Sequence, residues 1–421
     1  MGPFTLLVGA NASGKSNVRE ALRFLHAVGR GYTLAEIFGG KWTAGERQWD
    51  GILGGAREVA FRGTESFGVE VEVTGPSHSD SWVREDLTQR FRIEVSAPSR
   101  PIVVPHLLSE RLGFVPDDEV GIAYEARSDG HVSEKDANDA IEASVVVAET
   151  PEKTASLTAL SSRPVLGQLS GSRDERLGFV RTSLRDMEHD LLMMRFVDPD
   201  PRAMRLPSAP GQHVLSDRGE NLSSVLQSLC EDASTKTELI RWIRLLTPMD
   251  VADLHFASDF RGEVLLFLVE RDGTALSAYS ASEGTLRFLA LLAALLSAEP
   301  GLYFFEEIEN GLHPSRLRLV LDLIRSRTST RKIQVVATTH SPMLLSLLDD
   351  EQLEHASLVY RLEGERAGRI QRLLDVPDAR RVLEAHDRAD LLASGWFEDM
   401  VELASTPREP IMKRPTPGAA A

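Results

Sequence analysis

The sequence predicts an α/β protein with a parallel-sheet core, an antiparallel β-subdomain beside it and a helical insertion. Three observations carry that prediction. The apolar run Phe4-Thr5-Leu6-Leu7-Val8 reads as a buried strand and leads through Gly9-Ala10-Asn11-Ala12-Ser13-Gly14-Lys15-Ser16 into an amphipathic run, Val18, Ala21, Leu22, Phe24 and Leu25. Late in the chain, Leu302 to Phe305, a helical stretch from Pro314 to about Arg327, and Ile333 to Thr338 alternate as strand, helix and strand, which implies parallel strands joined by right-handed crossovers. Between these ends, Val69, Val71 and Val73 alternate with Glu70 and Glu72, and Phe91, Ile93 and Val95 repeat at the same period, as half-exposed antiparallel strands do.

Composition sets the outer bounds. The chain has 421 residues, of which 42% are apolar and 26% charged, enough for two or three subdomains around a sizeable core. The longest apolar run, Phe288 to Ala298, falls well short of the ~20 residues that span a bilayer, and the start reads as strand rather than signal peptide. A cytoplasmic protein without a membrane partner is the expectation. The single cysteine, Cys230, excludes an intramolecular disulfide and a cysteine metal site, and reads as a buried apolar thiol. A formal charge of −16 argues against broad adhesion to nucleic acid. The acids crowded between 117 and 153 read as a solvated face, or as a docking face for a basic partner.

In order along the chain, residues 1–155 are expected to hold the first strand, its glycine-rich loop and the β-subdomain, with strands over 59–75, 91–96, 121–127 and 144–149 and a turn at Ser128-Asp129-Gly130. Residues 156–250 read as the helical insertion, from Leu191, Leu192, Met194 and Phe196, then Asn221 to Leu229 and Leu239 to Leu246. Residues 251–403 carry a hairpin that turns through Arg271-Asp272-Gly273, a helix from Gly284 to Ala298, and the alternating run above. The proline-bearing tail, 404–421, is expected to be disordered.

The motif chemistry starts at Gly9, where G-x-x-x-x-G-K-[ST] after a strand and before a helix describes a phosphate-binding P-loop. Glycines let backbone N–H groups and the helix N-terminus point at an anion; Lys15 reaches the β- and γ-phosphates, and the Ser16 hydroxyl ligates Mg²⁺. The strand Leu302–Phe305 ends in two carboxylates, a Walker B pattern. Glu306 takes the metal side, and Glu307 is the base that orients and polarises a water. Ser282, before a helix, reads by itself as an N-cap, and a lone His340 reads by itself as a structural residue.

Together, GANASGKSN (9–17), GENL (219–222), SEGTLR (282–287), FFEEIENGLHP (304–314) and ATTHSPMLL (337–345) resemble the predicted ATPases of the RecF/SMC/OLD branch of the ABC class, the AAA-21 or AAA-15 group. The likeness is specific over 1–30 and about 215–345, weaker over 45–75 and 350–400, and unassignable between 100 and 200. It implies a P-loop NTPase of ABC type with a RecA-like core. It also implies a homodimer with two ATP molecules at its interface, in which Ser282 and Gly284 contact the γ-phosphate held by the opposite subunit. His340 then occupies the place of the γ-phosphate-sensing histidine, 309–314 that of a loop crossing the dimer interface, and Gln48 that of a lid glutamine on the metal side. Nucleotide contacts would come from Gly9, Asn11, Ala12, Ser13, Gly14, Lys15, Ser16 and Asn17. ATP and Mg²⁺ are the expected cofactors, and an effector such as a nuclease the expected partner; DNA follows from the resemblance alone, without support from charge.

Three departures qualify the likeness. Glu306 stands where Asp is usual and Ile308 where Pro is common, which points to slow turnover. The segment after His340 is too short for the TOPRIM nuclease of OLD proteins, so cleavage is expected from a partner. Eight residues precede Gly9 where the group usually has one or two β-subdomain strands, so the expectation is either a misassigned start or a trimmed subdomain, in which an unpaired strand would invite pairing. A transporter cassette is disfavoured, because about 265 residues separate Ser16 from Ser282 and SEGT replaces its usual signature. An ATP-binding switch with little hydrolysis is the alternative.

Overall fold

A computed structural model describes residues 1–75, 87–97, 105–115, 121–128, 140–147, 153–297, 299–330, 333–362, 364–376, 378–386, 388–396 and 399. They form two compact units, Met1–Lys15 with Arg195–Ala421, and Ser16–Met194. The expected insertion over 156–250 spans the division between them. Residues 129–130 of the expected turn, most of the acidic stretch and the tail from 404 lie outside the described residues. No described helix is long and apolar enough to cross a membrane.

The first unit is built on a six-stranded sheet in the order Met194–Val197, Gly301–Phe305, Ile333–Thr339, Phe4–Val8, Ala356–Tyr360, Arg369–Arg372. The middle four strands run parallel, and Arg369–Arg372 closes one edge antiparallel. Phe4–Val8 is buried at every position, as a strand covered on both faces must be. Val8 pairs with Thr339 and Phe305 with Ala337, so three strands finish at one carboxyl edge, where ligands of open parallel sheets bind. Because Ile333–Thr339 lies between the other two, its end stands between the Gly9 loop and Glu306.

Helix Glu283–Leu296 is buried at nearly every residue from Thr285 onward, which explains its lack of a polar face. The expected hairpin is present as Val264–Glu270 against Ala275–Ser277, with Gly273 at φ 86° and the Thr274 N–H donating to Asp272 Oδ1 at 2.8 Å; Val251–Ser258 extends it to three strands. One helical expectation is corrected here. Met194 and Phe196 belong to a strand, in which they are buried on either side of a half-exposed Arg195, and that period of two ends the preceding helix, Arg181–Leu192.

The second unit carries an antiparallel meander of six consecutive strands, Ser66–Gly75, Leu87–Ser96, His106–Val115, Ile122–Arg127, Ala140–Val146 and Thr154–Leu160. Its buried face holds Phe91, Ile93, Val95, Leu112, Tyr124, Ile141 and Val145. Residues 59–65, expected as the start of a strand, are turn and loop after the short helix Gly55–Glu58, and the strand begins at Ser66. His106–Val115 was not legible from alternation. An unpaired Leu108 puts a bulge where Leu107 pairs with Val95 and Ser109 with Glu94, and the strand turns a carboxylate, Glu110, inward. Glu110 accepts hydrogen bonds from the Tyr124 hydroxyl and from the N–H groups of Val165 (2.9 Å) and Leu166 (2.6 Å), tying the meander to helix Val165–Ser170.

Candidate nucleotide site

The buried strand Phe4–Val8 delivers the chain to Gly9, whose N–H reaches the Thr339 carbonyl at 3.4 Å. Only glycine fits there, because a Cβ would lie 2.2 Å from the Val359 carbonyl oxygen. Ala12 at φ 61° and Gly14 at φ 117° then curl the backbone, and the Ser13 N–H closes the curl on the Ala10 carbonyl at 3.3 Å. Lys15 folds over this arch and donates to the carbonyls of Gly9 and, at 2.9 Å, Ala10. It also opens the helix Lys15–Gly29, whose first turn carries no acid, while Asn11, Ala12, Ser16 and Asn17 stay exposed. The Ser13 hydroxyl is buried without a partner among the described residues. A curled loop at a helix N-terminus, with a cation above it and an orphaned hydroxyl inside it, fits a phosphate chain.

The acids follow the neighbouring strand. Gly301–Phe305 ends and Glu306, Glu307 and Glu309 come in the next turn, where Glu307 adopts φ 45°, a left-handed conformation that costs a glutamate of order 1 kcal/mol. Hydrogen bonds hold it there. The Glu307 N–H donates to the Thr338 hydroxyl at 2.9 Å, the Ile308 N–H to the Thr338 carbonyl at 3.2 Å, and the Asn310 N–H to the Glu307 carbonyl at 2.8 Å. The Asn310 side-chain amide donates to Glu307 Oε2. His340 Nδ1 lies 3.6 Å from Glu307 Oε1 and 3.5 Å from Glu309 Oε1, at ion-pair range. Burial pulls the Lys15 ammonium below the usual lysine range, and the carboxylates of Glu307, Glu309 and Glu306 oppose that shift, so lysine and all three acids share one field.

Ser282 caps the helix Glu283–Leu296, its hydroxyl accepting the Thr285 N–H at 3.1 Å. Ser282 is therefore the N-cap that its place before a helix predicts. Gly284 packs against Gly311, where a Cβ would come within 2.3 Å of the Gly311 carbonyl, so the cap is seated on the turn that follows the acids. His313 Nδ1 accepts the Ser315 N–H at 3.3 Å and so ends a turn before helix Pro314–Thr330. In GENL, Asn221 accepts the Ser216 N–H and donates to Gln212 and the Val214 carbonyl, which locks a loop. Gln48 stands exposed on strand Glu46–Trp49 of the second unit.

Sequence reasoning placed Glu309 and Asn310 only in a loop expected to cross the dimer interface, and gave Thr338 and Thr339 no role of their own. The signals were a third acid two residues after the pair and two threonines ending an apolar strand, whose hydroxyls become meaningful only once the strands are neighbours.

Parallel strands that end on a phosphate loop, two consecutive carboxylates and a histidine define a P-loop nucleotide-binding ATPase core. The chain belongs to the family described as "AAA domain, putative AbiEii toxin, Type IV TA system", whose model matches residues 4–75 and 172–346, more than half of its length. Those segments contain the Gly9 loop, Ser282, the acids and His340. Solved structures similar to it include the SMC head bound to the C-winged helix domain of ScpA, at 14% identity over 88% of this chain and 91% of that one, TM-score 0.39. The SMC head domain from Thermotoga maritima matches at 14% identity over 88% and 89%, TM-score 0.31. Likenesses this loose say nothing of activity or partners. No curated protein matches the chain.

Proposed function

We propose that this chain is a Mg²⁺-dependent ATPase that works as a head-to-tail homodimer and controls a partner effector or a DNA transaction. The observation that carries this reading is the meeting of Lys15, Glu306, Glu307 and His340 at one sheet edge. Amides of residues 11–17, the Ser13 hydroxyl and Lys15 bind the phosphates. Ser16 and Glu306 would hold the metal, with Gln48 as a third expected contributor, and the ion would supply charge neutralisation at the phosphate oxygens. Magnesium keeps waters and phosphate oxygens among its ligands and so asks for few from the protein. Glu307 accepts the proton of the attacking water, and His340 beside it senses the γ-phosphate. Ser282 and Gly284 serve the nucleotide of the other subunit. The family description, which speaks of a "putative AbiEii toxin, Type IV TA system", is in keeping with a partner-controlled role; phage defence or DNA repair as its setting rests on the resemblance in sequence.

The test is steady-state ATP turnover with Mg²⁺, with and without duplex DNA. Glu307→Gln should lower kcat by about 100-fold or more while ATP still binds. A folded wild-type chain without turnover would sink hydrolysis and favour the second reading, an ATP-binding switch, which Glu306 in place of the usual aspartate favours. Ser282→Arg should abolish ATP-dependent dimerisation in sedimentation; an intact dimer would refute the shared-site arrangement.

A further inference from the structure

We propose that Glu309 is the positioning residue for His340, an inference that rests on the ATPase reading only for its kinetic consequence. Its side chain is 10% exposed, deep for a glutamate. One oxygen, Oε1, does all of the holding. It accepts the Thr339 hydroxyl at 2.7 Å and the His340 backbone N–H at 3.0 Å, and it lies 3.5 Å from the ring nitrogen Nδ1 of the same histidine. Thr339 is fixed in turn, since its hydroxyl accepts the Ser341 N–H at 2.9 Å. The other oxygen, Oε2, is buried without a partner among the described residues.

This geometry has a direct consequence for the imidazole. A single carboxylate oxygen anchors the backbone at His340 and faces its ring, while Glu307 Oε1 approaches the same Nδ1 at 3.6 Å from the acids' own turn. A ring nitrogen that faces two acceptor-only oxygens carries the proton, which directs the lone pair of the neutral ring to Nε2. The clamp also works in the other direction. Thr338 takes the N–H groups of Glu307 and Ile308, and Glu309 returns to Thr339 and His340, so the turn bearing Glu307 and the strand end bearing His340 are stapled at successive residues. An unpaired buried carboxylate oxygen is costly, so this side chain is placed for what its other oxygen reaches rather than for packing.

The experiment has two readouts on the full chain. Long-range ¹H–¹⁵N spectra of the imidazoles without nucleotide, with His340 assigned by its loss in His340→Gln, should show the Nδ1–H tautomer in wild type and in Glu309→Gln, whose amide oxygen can take the place of Oε1. Glu309→Ala should lose that tautomer preference. In turnover, Glu309→Ala should lower kcat about tenfold or more with KM within about threefold, Glu309→Gln should recover most of the loss, and Glu309→Ala should cost nothing further in a His340→Ala background. An unchanged ring in folded Glu309→Ala, or additive losses with His340→Ala, would overturn the proposal. Should Glu309→Ala not fold, Thr339→Val, which removes the hydroxyl on the same oxygen, must shift the ring, and an unchanged ring there overturns it as well. Absent wild-type turnover would remove the hydrolytic reading alone, because the spectra still decide whether Glu309 positions the histidine.

Discussion

Glu110→Gln should remove a pH dependence of stability from the β-meander. Burial pushes the Glu110 carboxyl up from 4.5 to about 7, against the Tyr124 hydroxyl and the Val165 and Leu166 amides, which all favour the charged form. The folded protein therefore binds this proton more tightly than the unfolded chain does. The group's contribution is fully present below pH 4.5 and is lost as pH rises through about 7. At 1.36 kcal/mol per pKa unit the whole swing is about 3 kcal/mol, of which about 2–3 falls between pH 5 and 8. Glutamine cannot ionise but must turn its NH₂ toward one of the three donors, so it should cost about 1–3 kcal/mol at pH 5 and progressively less, or nothing, at pH 8. Urea unfolding of both proteins at half-unit intervals, followed by far-UV circular dichroism, measures the difference. Subtracting the two curves removes the opposing contributions of Asp174 and Asp232, whose hydrogen bonds hold them down at about 2. A difference that stays flat from pH 5 to 8 would refute the assignment of a buried, proton-binding Glu110.

Gly284→Ala should push the cap of helix Glu283–Leu296 off the Gly311 carbonyl, costing about 1–3 kcal/mol and lowering turnover while the Gly9 loop still binds ATP; wild-type melting and turnover would show that the close approach is not required. Cys230, whose thiol burial pushes up to about 11, should react with iodoacetamide at pH 8 at least about tenfold more slowly than a free thiol, and labelling at the free-thiol rate would show that its site is open.

How much of this was legible depends on the range of the interactions. The Gly9 loop, the Glu306-Glu307 pair and the three parallel strands first recognised are local patterns, since a buried strand, a curl of positive φ and a helix start are specified by residues adjacent in sequence. Ser282 was recognised in the same way, and its cap to Thr285 spans only three residues. The strand Ala356–Tyr360 is buried at every position and so shows no alternation, and Arg369–Arg372 is only four residues long, so neither was read from the sequence. The acid of His106–Val115 contradicted its own signal, because a bulge reset the alternation and three donors from distant segments made a buried glutamate tolerable.

The sequence by itself determined that a phosphate loop, two carboxylates and a histidine would each end an element, because each rests on backbone geometry within a few residues. Only the tertiary structure decided that they meet. Strand order places Ile333–Thr339 between Phe4–Val8 and Gly301–Phe305, joining segments about 330 residues apart, and that adjacency makes Thr338, Thr339 and Glu309 into parts of one site. Neighbour choice among strands is set by burial and crossover handedness over the whole sheet, which no local pattern encodes.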